Sequence, residues 1–259
     1  MTPDVPPASY QERFLSADEA NSYATREYGA NSYASAIWTL QQPVLEQYLL
    51  QARQQHPAGC HLDFACGTGR ITKLAEEIFS SVDAVDISAN MVEWARKTCL
   101  HAHFFVGNLL VTSSLCPGPY TSMTSFRLLL NLDPALRIPL LQQLRARLHP
   151  EGVLILNMHG NRHSLRQPAI LWKRWRHQES LPVELMLNAM SQGETISCLE
   201  AAGFRVEHRQ GIGVLPPTLY RWPLRFLWAA LDRWLSQVPF LQSFCIDLMF
   251  VCKKGRTPL

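Results

Sequence analysis

From about residue 58 to 160, short apolar runs alternate with longer stretches in which apolar residues recur every three or four positions. The short runs Cys60 to Ala65, Val82 to Asp86 and His103 to Val106 predict strands. The longer ones predict helices over Arg70 to Phe79 and Ala89 to Leu100, the second opened by a Ser88 cap. Tyr120 to Ser125 predicts a fourth strand, polar for a central position. Pro134 to Leu148 carries leucines at helical spacing with arginines opposite, and Pro150-Glu151-Gly152 predicts a turn. Val153 to Met158 then reads as a buried strand. Alternation of this kind predicts an α/β, Rossmann-like chain, with a mostly parallel sheet and helices on both faces.

The flanks follow other rhythms. Tyr10 to about Gln55 is helical and tyrosine-rich in pattern, and Pro57 and Gly59 end it. The expected organisation is a helical cap over 1–57 and a core over 58–259, with lid insertions near 162–190 and 212–242. Glu194 to Ala202 predicts a helix stopped by Gly203, followed by strands over Phe204 to His208 and Ile246 to Cys252. Residues 222–236 form a tryptophan-rich amphipathic stretch between them.

A net charge of +3 is too modest to point to nucleic acid as the main partner. Only 17% of residues are charged, which predicts a large buried fraction or an apolar surface. The seven cysteines are scattered, odd in number and never spaced CxxC, so neither zinc nor a disulfide framework is expected. A reducing, cytoplasmic setting fits them. Met1 to Ser9 lacks the apolar region of a signal peptide, and no stretch has the length and apolarity of a membrane span.

Chemistry concentrates at Asp63-Phe64-Ala65-Cys66-Gly67-Thr68-Gly69, a glycine-rich turn between a strand and a helix. Such a turn lets backbone approach a ligand closely. The dinucleotide fingerprint would need glycine or alanine where Thr72 stands, and a P-loop would need Gly-Lys-Ser/Thr. Neither is present. An acid within the first strand and Asp86 ending the second suit a nucleoside without a pyrophosphate, because a carboxylate there can accept both ribose hydroxyls.

These residues resemble the class I S-adenosylmethionine-dependent methyltransferase family. Leu62 to Arg70 matches the first motif, with Ala65 in place of its usual first glycine. The resemblance continues through Val85-Asp86-Ile87-Ser88 and Met91 to Phe105-Val106-Gly107-Asn108-Leu109, where the family more often has aspartate at the Asn108 place. Leu148-His149-Pro150-Glu151-Gly152 is similar to the turn before its fifth strand. The resemblance implies a seven-stranded sheet ending in an antiparallel hairpin, and S-adenosylmethionine as cofactor. It puts Asp63 near the methionine amino group, and Ala65, Gly67 and Gly69 along the cofactor. Asp86 falls at the ribose, and Asn108 with Leu109 at the adenine; Ile87, Met91 and Phe126 are further cofactor-binding candidates. Tyr28 and Tyr33 are candidates to close over the sulfonium, since aromatic faces favour a cation.

An acceptor is expected beyond the carboxyl ends of strands four and five. Strand four runs into Ser125-Phe126-Arg127-Leu128 rather than the Asn/Asp-Pro-Pro-aromatic turn of many base and amide methylating enzymes. A small-molecule acceptor, anionic or hydrophobic, is therefore expected, methylated at oxygen or nitrogen by direct displacement. His159 can take a proton, and Arg127 can anchor a carboxylate or phosphate. The alternative is a non-catalytic cofactor-binding scaffold, motivated by Ala65 and Asn108. The tryptophan-rich stretches leave acceptor pocket, homodimer interface and membrane-surface contact open.

Overall fold

The computed structural model describes residues 33–112, 114–165, 167–168, 189–216, 219 and 225–255. The predicted tyrosine-rich start, most of the 162–190 insertion and part of the 212–242 insertion lie outside them.

Helix α1 (Tyr33–Gln55) leads into β1 (His61–Phe64), α2 (Arg70–Glu76), β2 (Val82–Asp86), α3 (Ala89–Thr98) and β3 (His103–Val106). Then come β4 (Tyr120–Ser125), α4 (Pro134–Arg147), β5 (Leu148–His159), α5 (Gln192–Ala201) and β6 (Phe204–Ile212). The short helices α6 (Arg225–Leu235) and α7 (Pro239–Gln242) precede β7 (Asp247–Lys254). The strands form one seven-stranded sheet in the order β3-β2-β1-β4-β5-β7-β6. The first five are parallel, and β7 runs antiparallel between β5 and β6. Strand order reverses between β1 and β4, which is where an open α/β sheet leaves a crevice at its carboxyl edge.

Caps follow the sequence closely. Ser88 accepts from the Met91 N–H, and Ser191 and Glu194 form a reciprocal capping box on α5. The predicted turn at Pro150 is instead absorbed into β5, whose ladder with β4 jumps from Tyr120↔Leu148 to Ser122↔Val153. The extra residues bulge from a strand that never ends, which a turn signal alone cannot distinguish.

The polar composition of β4 has a physical reason. Its Ser122 and Thr124 hydroxyls flank the buried His61 ring at 3.1 and 3.0 Å, and the ring stacks on Phe79. Thr124 also donates to Asp63 at 2.9 Å. The central strands thus carry a satisfied polar seam rather than a purely apolar one. Burial of the His61 ring holds its pKa down at about 3, so it stays neutral.

Helix α1 lays Leu40, Leu45, Leu49 and Ala52 against Ile155, Met249 and Val251 of the sheet. Leu45 and Leu49, one turn apart, are completely buried, and each contributes about 2 kcal/mol on burial. This packing lays α1 on the sheet, with Gln41 near its N-terminal end donating a hydrogen bond to Asp247, which pairs with His159 at the end of β5.

Candidate active site

The turn between β1 and α2 is built on left-handed backbone. Ala65, Gly67 and Gly69 have φ of 59°, 54° and 83°. Ala65 therefore keeps a conformation for which glycine is better suited, at a cost of about 1 kcal/mol. A Cβ on Gly67 would meet nothing within 4 Å, whereas one on Gly69 would lie 2.8 Å from the Ala95 Cβ. Gly67 faces open space at the crevice, and Gly69 lets α2 and α3 pack. Only the first has a ligand-facing reason to be small.

Asp86 ties the site together. Its two carboxylate oxygens accept from Gly67 N at 2.8 Å and Ser88 N at 2.9 Å, and its carbonyl accepts from Gly107 N at 3.0 Å. Asp63, beneath the turn, accepts from Thr72 at 2.7 Å and from Thr124. Thr72 thus occupies the place a dinucleotide site gives to glycine and uses it to hold the acid. Burial raises the Asp63 carboxyl to about 6 and also raises Asp86, against the pull of their hydrogen bonds. Asn108 folds back so that its side-chain oxygen accepts from Leu110 N at 2.9 Å, and a second lone pair remains on that oxygen.

A cleft of about 950 Å³, open to solvent, runs along this edge. Of the predicted residues it is lined by Ala65, Gly67, Asp86, Ile87, Met91, Asn108, Leu109, Phe126 and Arg127. An adjoining hollow is lined by Asp63, Gln41, Arg70 and Arg127 among others. The two share Ala65, Gly67, Phe126 and Arg127. Gly69 and His159 line neither. Tyr28 and the side chain of Tyr33 lie outside the described residues.

Arg127 sits at the junction with a φ of 56°. Its N–H donates to the Asn157 side-chain oxygen at 2.5 Å, and its carbonyl accepts from Asn131. Two side chains therefore hold this backbone in a strained form and fix where the guanidinium leaves the chain. Asn157 in turn donates to Asp247 at 2.9 Å, and that oxygen also accepts from Gln41. Burial raises the Asp247 carboxyl to about 7. His159 pairs with Asp247 across β5 and β7. The His159 Nδ1 is buried without a hydrogen-bond partner, and desolvation, with Arg127 nearby, lowers its pKa to about 3.

Gln41, Arg70 and Asp247 were not anticipated from sequence. Arg70 opens α2 with its guanidinium 4.4 Å from the Trp38 ring. An acid opening the apolar run Asp247 to Cys252 was a signal for the third; nothing marked Gln41.

A cleft at the reversal of a seven-stranded sheet with this strand order is the arrangement of the class I S-adenosylmethionine-dependent methyltransferases. The chain belongs to the methyltransferase-domain family, whose model matches residues 38–209. No curated protein matches it by sequence. The fold is similar to that of magnesium protoporphyrin IX methyltransferase from Synechocystis PCC 6803 with bound S-adenosylhomocysteine (TM-score 0.63, 14% identity, 95% of this chain and 97% of that one). It is also similar to the N-methyltransferase NodS from Bradyrhizobium japonicum (0.59, 12%, 95% and 99%). A TehB-like methyltransferase from Corynebacterium glutamicum gives 0.58 at 16% identity, covering 93% and 100%.

The residues present fit the cofactor. Gly67 leaves open the space a side chain would fill, and the Asp86 carboxylate faces the same cleft. The protein is a methyltransferase that uses S-adenosylmethionine.

Proposed function

We propose that the enzyme methylates oxygen or nitrogen of a small-molecule acceptor carrying an anionic group. The observation that carries this reading is the clamped Arg127, which brings a cation to the junction of the two cavities. Fixing a charged side chain by its own strained backbone orients an acceptor carboxylate or phosphate. The cofactor supplies an activated methyl group on a good leaving group. The chain's residues have to hold the ends of the reaction in line and exclude water.

In this reading Asp86 takes the ribose hydroxyls, Asp63 lies toward the methionine amino group, and Asn108 with Leu109 meets the adenine. Apolar walls from Phe64, Val85, Ile87 and Met91 keep the nucleoside end dry. His159 remains neutral at ordinary pH but is buried and lines neither cavity, so this reading gives it no contact with the acceptor.

Calorimetry with S-adenosylhomocysteine, followed by an acceptor screen reading its release, tests the proposal. Turnover on a carboxylate- or phosphate-bearing small molecule is expected, with Arg127→Gln raising the acceptor KM at least about tenfold. Cofactor binding without turnover across the screen would favour the non-catalytic scaffold.

A further inference from the structure

Asn157 and Asp247 stand where the sheet would otherwise be apolar. Ile155 and Asn157 of β5 share one face with Asp247, Met249 and Val251 of β7, because Asn157 pairs with Met249 and side chains alternate along each strand. Ile155, Met249 and Val251 join the apolar cluster under α1. Asn157 and Asp247 are diagonal neighbours on that face, and they are only 1% and 2% exposed. Replacing both members of a buried hydrogen-bonded pair by apolar groups of the same shape can be neutral or stabilising. Packing alone therefore gives no reason for this pair.

The reason lies at the far end of the hydrogen-bond line. The β4–β5 ladder ends at Ser125↔Leu156, and two residues later the chain turns left-handed at Arg127. There the Arg127 N–H donates to a side chain, the Asn157 Oδ1, instead of a strand carbonyl. An amide can meet this N–H only with its oxygen, since its nitrogen is a donor. Turned the other way, Asn157 would set a donor against the Arg127 N–H and an acceptor against the Asp247 carboxyl. Asp247 excludes that orientation by accepting from the Asn157 Nδ2 at 2.9 Å, on the same oxygen that accepts from Gln41. Gln41 comes from α1 and lines the hollow that Arg127 also lines, so the line begins and ends at one cavity.

We propose that Asn157 is the positioning residue that aims Arg127, and that Asp247 and Gln41 hold its amide in the one orientation able to do so. This rests on Arg127 anchoring an anionic group of the acceptor. Asn157 and Asp247 line neither cavity, so they act on the acceptor only through Arg127. Their part is to fix the backbone from which the guanidinium departs, a matter of geometry rather than of charge.

The test is calorimetry of inorganic phosphate, at fixed pH, into the full chain saturated with S-adenosylhomocysteine. Asn157→Ala should weaken phosphate binding about fivefold or more and leave S-adenosylhomocysteine affinity within about twofold of wild type. Asp247→Asn keeps an oxygen that can accept from Asn157 and Gln41, and should stay within about twofold for both ligands. Asp247→Leu fills similar space without an acceptor and should lose phosphate as Asn157→Ala does. Arg127→Gln should lose it too, and adding Asn157→Ala to Arg127→Gln should bring no further loss. Wild-type phosphate affinity in Asn157→Ala, or a further loss in the double variant, would overturn the positioning role and leave the anion reading standing. Equal phosphate affinity in wild type and Arg127→Gln would overturn both. Should Asn157→Ala not fold, the contrast between Asp247→Asn and Asp247→Leu decides, and equal affinities in those two would overturn the role.

Discussion

The Gly67 N–H donates to the Asp86 carboxylate at 2.8 Å, joining the turn after β1 to the end of β2 before any ligand is bound. The acid that is expected to hold the ribose therefore also shapes the glycine turn. Asp86→Ala should weaken S-adenosylhomocysteine binding by tenfold or more, as expected when hydrogen bonds to a charged group, about 1.5–3 kcal/mol each, are lost. Asp86→Asn should fall between the two, since its oxygen can still accept one of the two backbone N–H groups. Calorimetry reads both. Undiminished affinity in the alanine variant would remove Asp86 from the cofactor site.

The two glycines of the turn should respond differently to substitution. Gly67→Ala meets only the left-handed backbone penalty, about 1 kcal/mol in urea unfolding, because its Cβ would enter open space. It should nonetheless weaken cofactor binding by crowding the cleft. Gly69→Ala adds contacts of 2.8 and 3.0 Å to Ala95 and should destabilise by several kcal/mol. Equal losses in stability for the two variants would contradict this division of roles.

How far the sequence discloses this architecture depends on the range of the interaction involved. β2, β3 and β4 begin and end where their apolar patterns do, because strand alternation and turns are local. β5 runs longer than its pattern, from Leu148 rather than Val153, since its first residues are paired by β4 and not by their own propensity. Asp63, Asp86 and Gly67 were legible because spacing within one βαβ unit puts them together. The Gln41–Asp247–Asn157–Arg127 chain was not. It joins residues from four separate elements or loops, with Gln41 and Asp247 206 positions apart, and only packing of α1 onto the sheet brings them into contact.

Free cysteines should be poorly reactive in the folded chain. Burial pushes the Cys99 and Cys116 thiols up to about 11 and Cys245 to about 12, and raises Cys66, Cys198 and Cys252 as well. The thiolate is the reactive form, so alkylation at pH 8 should be slow at all six. Mass spectrometry after a timed iodoacetamide pulse would show full labelling only with denaturant present. Rapid native labelling of Cys66 would mean that the cofactor turn opens on its own.

Buried acids and buried histidines give opposing pH slopes. Asp63 and Asp247, raised to about 6 and 7 from 3.8, keep a proton in the folded chain where the unfolded chain has lost it. Their contribution to stability therefore falls as pH rises from about 4 through those values. His61 and His159, lowered to about 3 from 6.5, are neutral when folded but protonated when unfolded, so their contribution rises with pH between those limits. Over roughly pH 4 to 6 the two effects oppose one another, and the contribution of these four groups should be nearly flat. Replacing Asp63 by Asn removes one falling limb. Relative to the wild type, the variant should then gain about 1–2 kcal/mol between pH 5 and pH 8 in urea unfolding. Asp247→Asn should gain about 2–3 kcal/mol over the same interval, because its higher pKa extends the window. Parallel profiles for wild type and both variants would show that neither carboxyl holds its proton in the folded state.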